Sequence, residues 1–275
     1  MKRRLGVLVI SRNWSKNEDK LLTKNLSLLE GSSYTILPCL VTNVYPEYLP
    51  TKTKYLVSEG TTAQFNRILG LQYFLSEEDV DYVWCLDSDM EFCDIVGVVE
   101  SIFHKKHDLY SFNRLDILKD GQKRHVNLKI FNGEPKTLFG SFVVRPGLVK
   151  YMIDTDDFEE QWFLLSLKLA RISFYHFDRV LIHHHDYNTK MSKIRRYLFS
   201  NRGVGYWQGF FVFLNKYKLI SFDRFMIKFT LTITAVLLSF ASPIFIVLLA
   251  FNIKEGFYLL KGLLFYVATN KKSFK

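Results

Sequence analysis

"DYVWCLDSDMEF", residues 81–92, decides how the rest of the chain reads. Tyr82, Val83, Trp84 and Leu86 give a nearly unbroken apolar run, the pattern of a central strand buried on both faces. Carboxylates then follow at alternate positions, Asp87, Asp89 and Glu91. Just past a strand, that spacing turns Asp87 and Asp89 to one side of the sheet edge, where they repel unless a cation sits between them. The same Asp-x-Asp spacing recurs at 154–156 with no strand before it. Context, not spacing, singles out the first pair.

Working outward, the first half alternates strand and helix. Residues 5–10 and 35–41 read as strands, the second containing Pro38, with a helix between them over 18–29. Residues 55–58 are a short extended piece. "EGTTAQFNRILGLQYFL" then supplies a turn at Gly60, a cap at Thr61 or Thr62, and a helix expected to bury Phe65, Ile68, Leu69 and Tyr73. This βαβ succession predicts an α/β domain with a mainly parallel sheet, whose ligands bind at the carboxyl ends of the strands. Further on, the pattern predicts a helix over 95–103 and strands near 109–112, 126–131 and 139–144. A helix then opens at "DDFEEQW", and a strand ends in "IHHHD", residues 182–186.

Composition bounds the rest. The chain has 275 residues, 48% of them hydrophobic, which excludes a disordered chain. Three cysteines (Cys39, Cys85, Cys93) form no CxxC pair, and the first and second lie in strand-like runs, so they read as buried free thiols in a reducing compartment. The opening "MKRRLGVLVI" has too short an apolar run for a signal peptide. Net charge is +10, and it is unevenly placed: from Tyr187 onward there are 14 Lys and Arg against two acids. The reading is a nearly neutral domain, 1–186, followed by a basic, apolar helical region, 187–275. Such a tail suits an anionic membrane surface, and its long uncharged run argues against nucleic acid.

The order of motifs resembles the family-2-type glycosyltransferases of the GT-A fold, especially the rhamnosyl- and galactofuranosyltransferase-like branches. The stretches that carry the resemblance are "EGTTAQFNRILGLQYFLSEEDVDYVWCLDSDMEF", "LFGSFVVRPGLV", "DDFEEQWFLLSLKLARISFYHFDRVLIHHHD" and "KIRRYLFSNRG". The resemblance implies a Rossmann-like mixed sheet, a nucleotide-sugar donor, and a saccharide or lipid-linked acceptor from surface-polysaccharide synthesis. Two departures stand out. Thr42-Asn43 occupies the place of the family's base-recognising Asp, and Glu159 and Glu160 lie slightly upstream of the expected catalytic position.

Sugar transfer needs a stabilised diphosphate leaving group and an activated acceptor hydroxyl. A divalent cation, Mn²⁺ or Mg²⁺, held by Asp89 with Asp87 near the metal or the ribose, would neutralise the diphosphate. The resemblance implies a histidine from the later strand at that cation, one of His183, His184 and His185 in the "HHHD" strand end with His183 taken first; His183 and His185 share one face of the strand and His184 the other. A zinc site is disfavoured, since no Cys ligands or HExxH accompany these residues. Glu160, then Glu159, then Asp157 are candidates for the base in an inverting displacement. Ser11, Asn13, Asn66 and Arg67 are candidates for holding the nucleotide.

Other classes compete. A haloacid-dehalogenase-type phosphatase expects its Asp-x-Asp on the first strand. A nucleotidyltransferase shares the fold logic and the metal, and a non-catalytic membrane-bound scaffold would keep the fold alone. The tail carries the localisation reading. Residues 229–253 lack any charge, a length of about 37 Å as a helix. Pro243 interrupts that run, and basic residues flank it on both sides. These features predict a hairpin or interfacial helices on the cytoplasmic face of the plasma membrane, with a single tilted, Pro-kinked span as the alternative.

Overall fold

The computed structural model describes residues 3–30, 33–60, 62–95, 97–126, 130–131, 134–135, 138, 140–155, 159–186, 212–214 and 216–217. The basic-aromatic segment at 193–203 and the apolar run at 229–253 lie outside these residues. Among the described residues, no helix is long and apolar enough to cross a membrane.

The first half runs β1 (Arg4–Ser11), α1 (Lys16–Leu29), β2 (Thr35–Thr42), β3 (Lys54–Val57), α2 (Ala63–Ser76), β4 (Tyr82–Asp87), β5 (Met90–Phe92) and α3 (Val98–Lys105). The second half runs β6 (Leu109–Leu118), β7 (Lys123–Val126), β8 (Ile130–Phe131), β9 (Glu134–Pro135), β10 (Phe142–Val144), a 3₁₀ turn (Pro146–Tyr151), α4 (Glu159–Leu169) and β11 (Phe174–Asp186). Nine strands form one mixed sheet in the order β3-β2-β1-β4-β10-β6-β11-β5, with β7 beside β6. The β3-β2-β1-β4 half is parallel, as the βαβ succession requires, and β10 enters antiparallel between β4 and β6. Pro38 is tolerated because β3 joins β2 only from Cys39 onward, leaving β2 an edge strand at the proline.

Alternation along β1 sorts the core into two layers. Val7 and Val9 pack with Leu22 of α1, Trp84 and Ile102 of α3 on one face. Leu8 and Ile10 pack with Leu71 and Phe74 of α2, Phe142 and Phe163 of α4 on the other. Burial on both faces explains the run of apolar residues in β4, where period-2 patterning is absent.

The buried face of α2 is only partly the expected one: Ile68, Leu69 and Tyr73 are half-buried against the core, but Phe65 is not. Phe65 is 38% exposed, while Gln64, Asn66, Arg67, Gly70, Leu71 and Phe74 are buried. Glycine decides this. A Cβ on Gly70 would meet Leu8 Cδ1 at 2.3 Å, and one on Gly6 would meet Phe74 Cε1 at 2.8 Å. The helix therefore lies against β1 on its glycine side, and the polar residues of its first turns go inward with that side.

Gly70→Val should destabilise the fold by about 1–3 kcal/mol through overpacking against Leu8. Urea denaturation should show a lower midpoint with an unchanged slope.

Candidate active site

Strands β1 and β4 run parallel with Ile10 opposite Asp87, so both end at the same sheet edge. The Ser88 N–H donates to Ile10 O at 3.0 Å and ties the two ends together. The N-terminus of α2, capped by the Thr62 hydroxyl accepting from the Phe65 N–H, arrives at the same edge. Between them opens a cleft of about 300 Å³ lined by Ile10, Ser11, Arg12, Ala63, Asn66, Asp87, Ser88 and Asp89.

Asp87 lines this cleft. Its Oδ1 accepts from an Arg67 Nη at 2.7 Å; the Arg67 side chain is 3% exposed and that of Asp87 35%. Burial pushes the Asp87 carboxyl above its ordinary value against the pull of Arg67, and the Asp89 and Glu160 charges add to the rise. Gly140 closes over Asp87. It adopts φ +73°, and a Cβ there would stand 2.1 Å from Asp87 Oδ2, so a left-handed turn without a side chain is required. Glu160 holds that turn from the other side. Its carboxylate accepts from the Gly140 N–H at 2.6 Å and the Leu138 N–H at 2.9 Å. Glu159 is the first residue of α4; its side chain and all of Asp157 lie outside the described residues.

Asp89 faces His184. His184 Nε2 lies 3.3 Å from Asp89 Oδ2, and its Nδ1 lies 3.0 Å from Asp116 Oδ1. Burial opposes the charge on His184, but the bonds to Asp89 and Asp116 raise its pKa above the ordinary imidazole value. Asp116 is fully buried between Arg114 and Arg124, and despite burial the guanidinium groups hold its carboxyl below the usual range. His183, the histidine expected beside the cation, is not brought to Asp89. Strand β11 alternates, and its pairing with β5 and β6 directs the even-numbered ring to the cleft side. Burial pushes the His183 imidazole below its ordinary value. Glu91 also leaves the cleft, pairing with Lys24 and with His185 Nε2, the latter at 2.9 Å. Despite burial, these partners hold its carboxyl below the usual range.

Of the nucleotide candidates, Asn66 and Ser11 line the cleft, Arg67 acts on it through Asp87, and Asn13 is exposed in the turn after β1. The Ser11 hydroxyl donates to Glu18 Oε1 at 3.1 Å, and Ser88 donates to the same oxygen. Glu18 also accepts from the Ser15 N–H at 2.7 Å, closing a capping box on α1. Asn43, in the place of the base-reading Asp, is committed elsewhere. Its amide donates to Ser58 O at 2.9 Å and Gly60 O at 2.6 Å. Asp154, in the second Asp-x-Asp, accepts from the Thr62 hydroxyl and so braces the N-terminus of α2.

Sequence reasoning named His184 only as one of three histidines, with His183 ahead of it, and missed Asp116, Gly140 and Glu18. Only Glu18 had a local signal, the Ser15-x-x-Glu18 capping box; the others depend on which strand lies beside which.

No family model matches the chain, and no curated protein does. Among solved structures, the chain is similar to S. aureus TarS residues 1–349 at 16% identity and a TM-score of 0.47, covering 67% of this chain and 60% of that one. The same TarS fragment in complex with UDP-GlcNAc matches at 15% identity and a TM-score of 0.47, covering 69% and 60%. A197 from STIV matches at 15% and a TM-score of 0.41, covering 66% and 85%. The chain thus spans less than two thirds of the TarS fragment's length.

Glu160→Gln replaces one acceptor oxygen with an NH₂ that opposes a backbone N–H. Thermal unfolding should show a loss of about 1–2 kcal/mol, and Glu160→Ala a similar loss. Glu91 and Asp116 bear on acid stability. Their folded pKa values lie below the ordinary 4.5 and 3.8, so the stability they supply is complete above those values and drains as pH falls through the lower folded ones. Denaturation midpoints measured from about pH 6 down to about pH 3 should fall, and Glu91→Gln should flatten the fall.

Proposed function

We propose that this chain is a divalent-cation-dependent, inverting glycosyltransferase that moves a sugar from a nucleotide-diphospho-sugar to an acceptor hydroxyl. One observation carries the reading. Asp87 and Asp89 line one cleft at the carboxyl edge of parallel strands, the place where such sheets take their ligands, with His184 against Asp89 and Glu160 bonded to the Gly140 turn beside Asp87.

The residues present fit a hard cation. Asp89 Oδ1 is buried without a hydrogen-bond partner, an arrangement that costs free energy unless a cation or donor meets it. Asp89 and His184 would hold the cation, which on binding neutralises charge developing on a diphosphate leaving group. Among the described residues no three carboxylate, His or Cys side chains already form a cage, so donor oxygens and water would complete the ligand set.

The chain's own groups do the rest. Asn66 Oδ1 is buried without a partner and accepts a hydrogen from the nucleotide. Asp87, fixed by Arg67, accepts from ribose hydroxyls. Arg12 at the cleft mouth offers a cation to the diphosphate. Glu160 takes the proton of the acceptor hydroxyl as it attacks the sugar, and its two backbone donors hold the carboxylate in place. A lipid-linked or surface-polysaccharide acceptor at the cytoplasmic face of the plasma membrane completes the reading, supported by the basic, apolar composition beyond residue 186. A rhamnose or galactofuranose donor rests on the motif resemblance.

Incubation with a panel of nucleotide-sugars, rhamnose and galactofuranose donors included, and Mn²⁺ or Mg²⁺ should release nucleoside diphosphate. Pyrophosphate release would instead indicate nucleotidyl transfer, and no release with any donor would remove the reading. A cation supplies several kcal/mol of charge stabilisation, so Asp89→Ala should lower kcat/KM by about 100-fold or more. Excess chelator should do the same to the wild type.

A further inference from the structure

The proposed cation role leaves one group without a use: the fully buried carboxylate of Asp116, on β6 beside β11. A buried charge needs a reason, because its desolvation is costly unless every oxygen is paired. Both oxygens are paired here. Oδ2 accepts from Arg124 Nε at 3.1 Å and from an Arg124 Nη, while Oδ1 faces Arg114 Nε at 2.9 Å and His184 Nδ1 at 3.0 Å. The register of β6 and β11 places Asp116 directly opposite His184.

The chemistry of this arrangement settles the hydrogen on the ring. A carboxylate facing two guanidinium groups is ionised and only accepts, so His184 Nδ1 must carry the hydrogen between them. The ring is then held by its Nδ1 side, and Nε2 is left facing Asp89 at 3.3 Å. Histidines that ligate metals through one nitrogen are commonly oriented by a carboxylate on the other.

We propose that Asp116 is a positioning residue, which fixes the orientation and tautomer of His184 so that Nε2 and Asp89 together receive the divalent cation. The inference rests on the reading of Asp89 as a cation ligand. Arg114 and Arg124 serve it in turn, keeping Asp116 ionised and in place. An Asn at 116 has one acceptor oxygen instead of two and cannot serve both Arg124 and His184.

The test uses the full chain without donor or acceptor. Mn²⁺ affinity is read from the electron paramagnetic resonance signal of the free ion, for wild type, Asp89→Ala, His184→Gln, Asp116→Asn and the His184→Gln/Asp116→Asn double variant. Asp116→Asn should weaken Mn²⁺ binding by about 10–100-fold. The double variant should bind no more weakly than His184→Gln alone, because Asp116 acts only through that ring. Loss of binding in Asp89→Ala with wild-type binding in Asp116→Asn would overturn the positioning role and leave the cation site standing. Unchanged binding in Asp89→Ala would overturn the cation site, and this inference with it. Nitrogen-15 spectra of the wild-type imidazoles test the proposal even if Asp116→Asn fails to fold: His184 must show a protonated Nδ1, and an unprotonated one overturns the assignment.

Discussion

The ion pair between buried Arg67 and half-buried Asp87 is a constraint around which the cleft is arranged. A guanidinium group almost sealed from water needs a carboxylate, and Arg67 of α2 meets one at the end of β4. Several neighbours of the cleft are tied to that meeting. The helix must lie close on β1, which requires Gly6 and Gly70. The loop that covers Asp87 must come without a side chain, which requires Gly140. Glu160 then bonds the loop, so α4 is tied to the same point.

Two carboxylates separated by one residue thus have different lives. Asp87 is neutralised by the protein and serves as a fixed wall of the cleft. Asp89 keeps a buried oxygen without a partner and offers it to whatever enters. The third acid in the series, Glu91, has been taken out of the cleft by Lys24 and His185. Charge is therefore graded: Arg67 pairs with 87, His184 faces one oxygen of 89 while the other has no partner, and Lys24 and His185 pair with 91.

Glu18 supports the grading from the other strand. It caps α1 and accepts from Ser11 and Ser88, so it joins the ends of β1 and β4 to the start of a helix on the opposite face of the sheet. The Ser11 hydroxyl is thereby engaged within the protein. Asn43 plays a comparable part at the end of β2, where its amide holds the turn leading to α2.

Local rules made the first half of the chain legible: apolar runs gave β1, β2 and β4, the Thr62 cap gave α2, and the strand before Asp87 marked the cleft. They failed on facing. Residue spacing in α2 favoured a face containing Phe65, but backbone clearance at Gly70 outweighed side-chain hydrophobicity, and a face carrying Arg67 was buried. In β11, alternation alone separated His184 from His183 and His185, yet nothing within the strand says which side meets the cleft. That choice belongs to β5 and β6, which flank β11 from distant parts of the chain and supply Asp89's neighbourhood and Asp116. The sequence by itself determined the strand-end acids and the α/β order, because these follow from contacts between residues near one another. Tertiary structure alone decided which histidine faces which acid and which glycine closes the site, because those depend on neighbours brought together across many tens of residues.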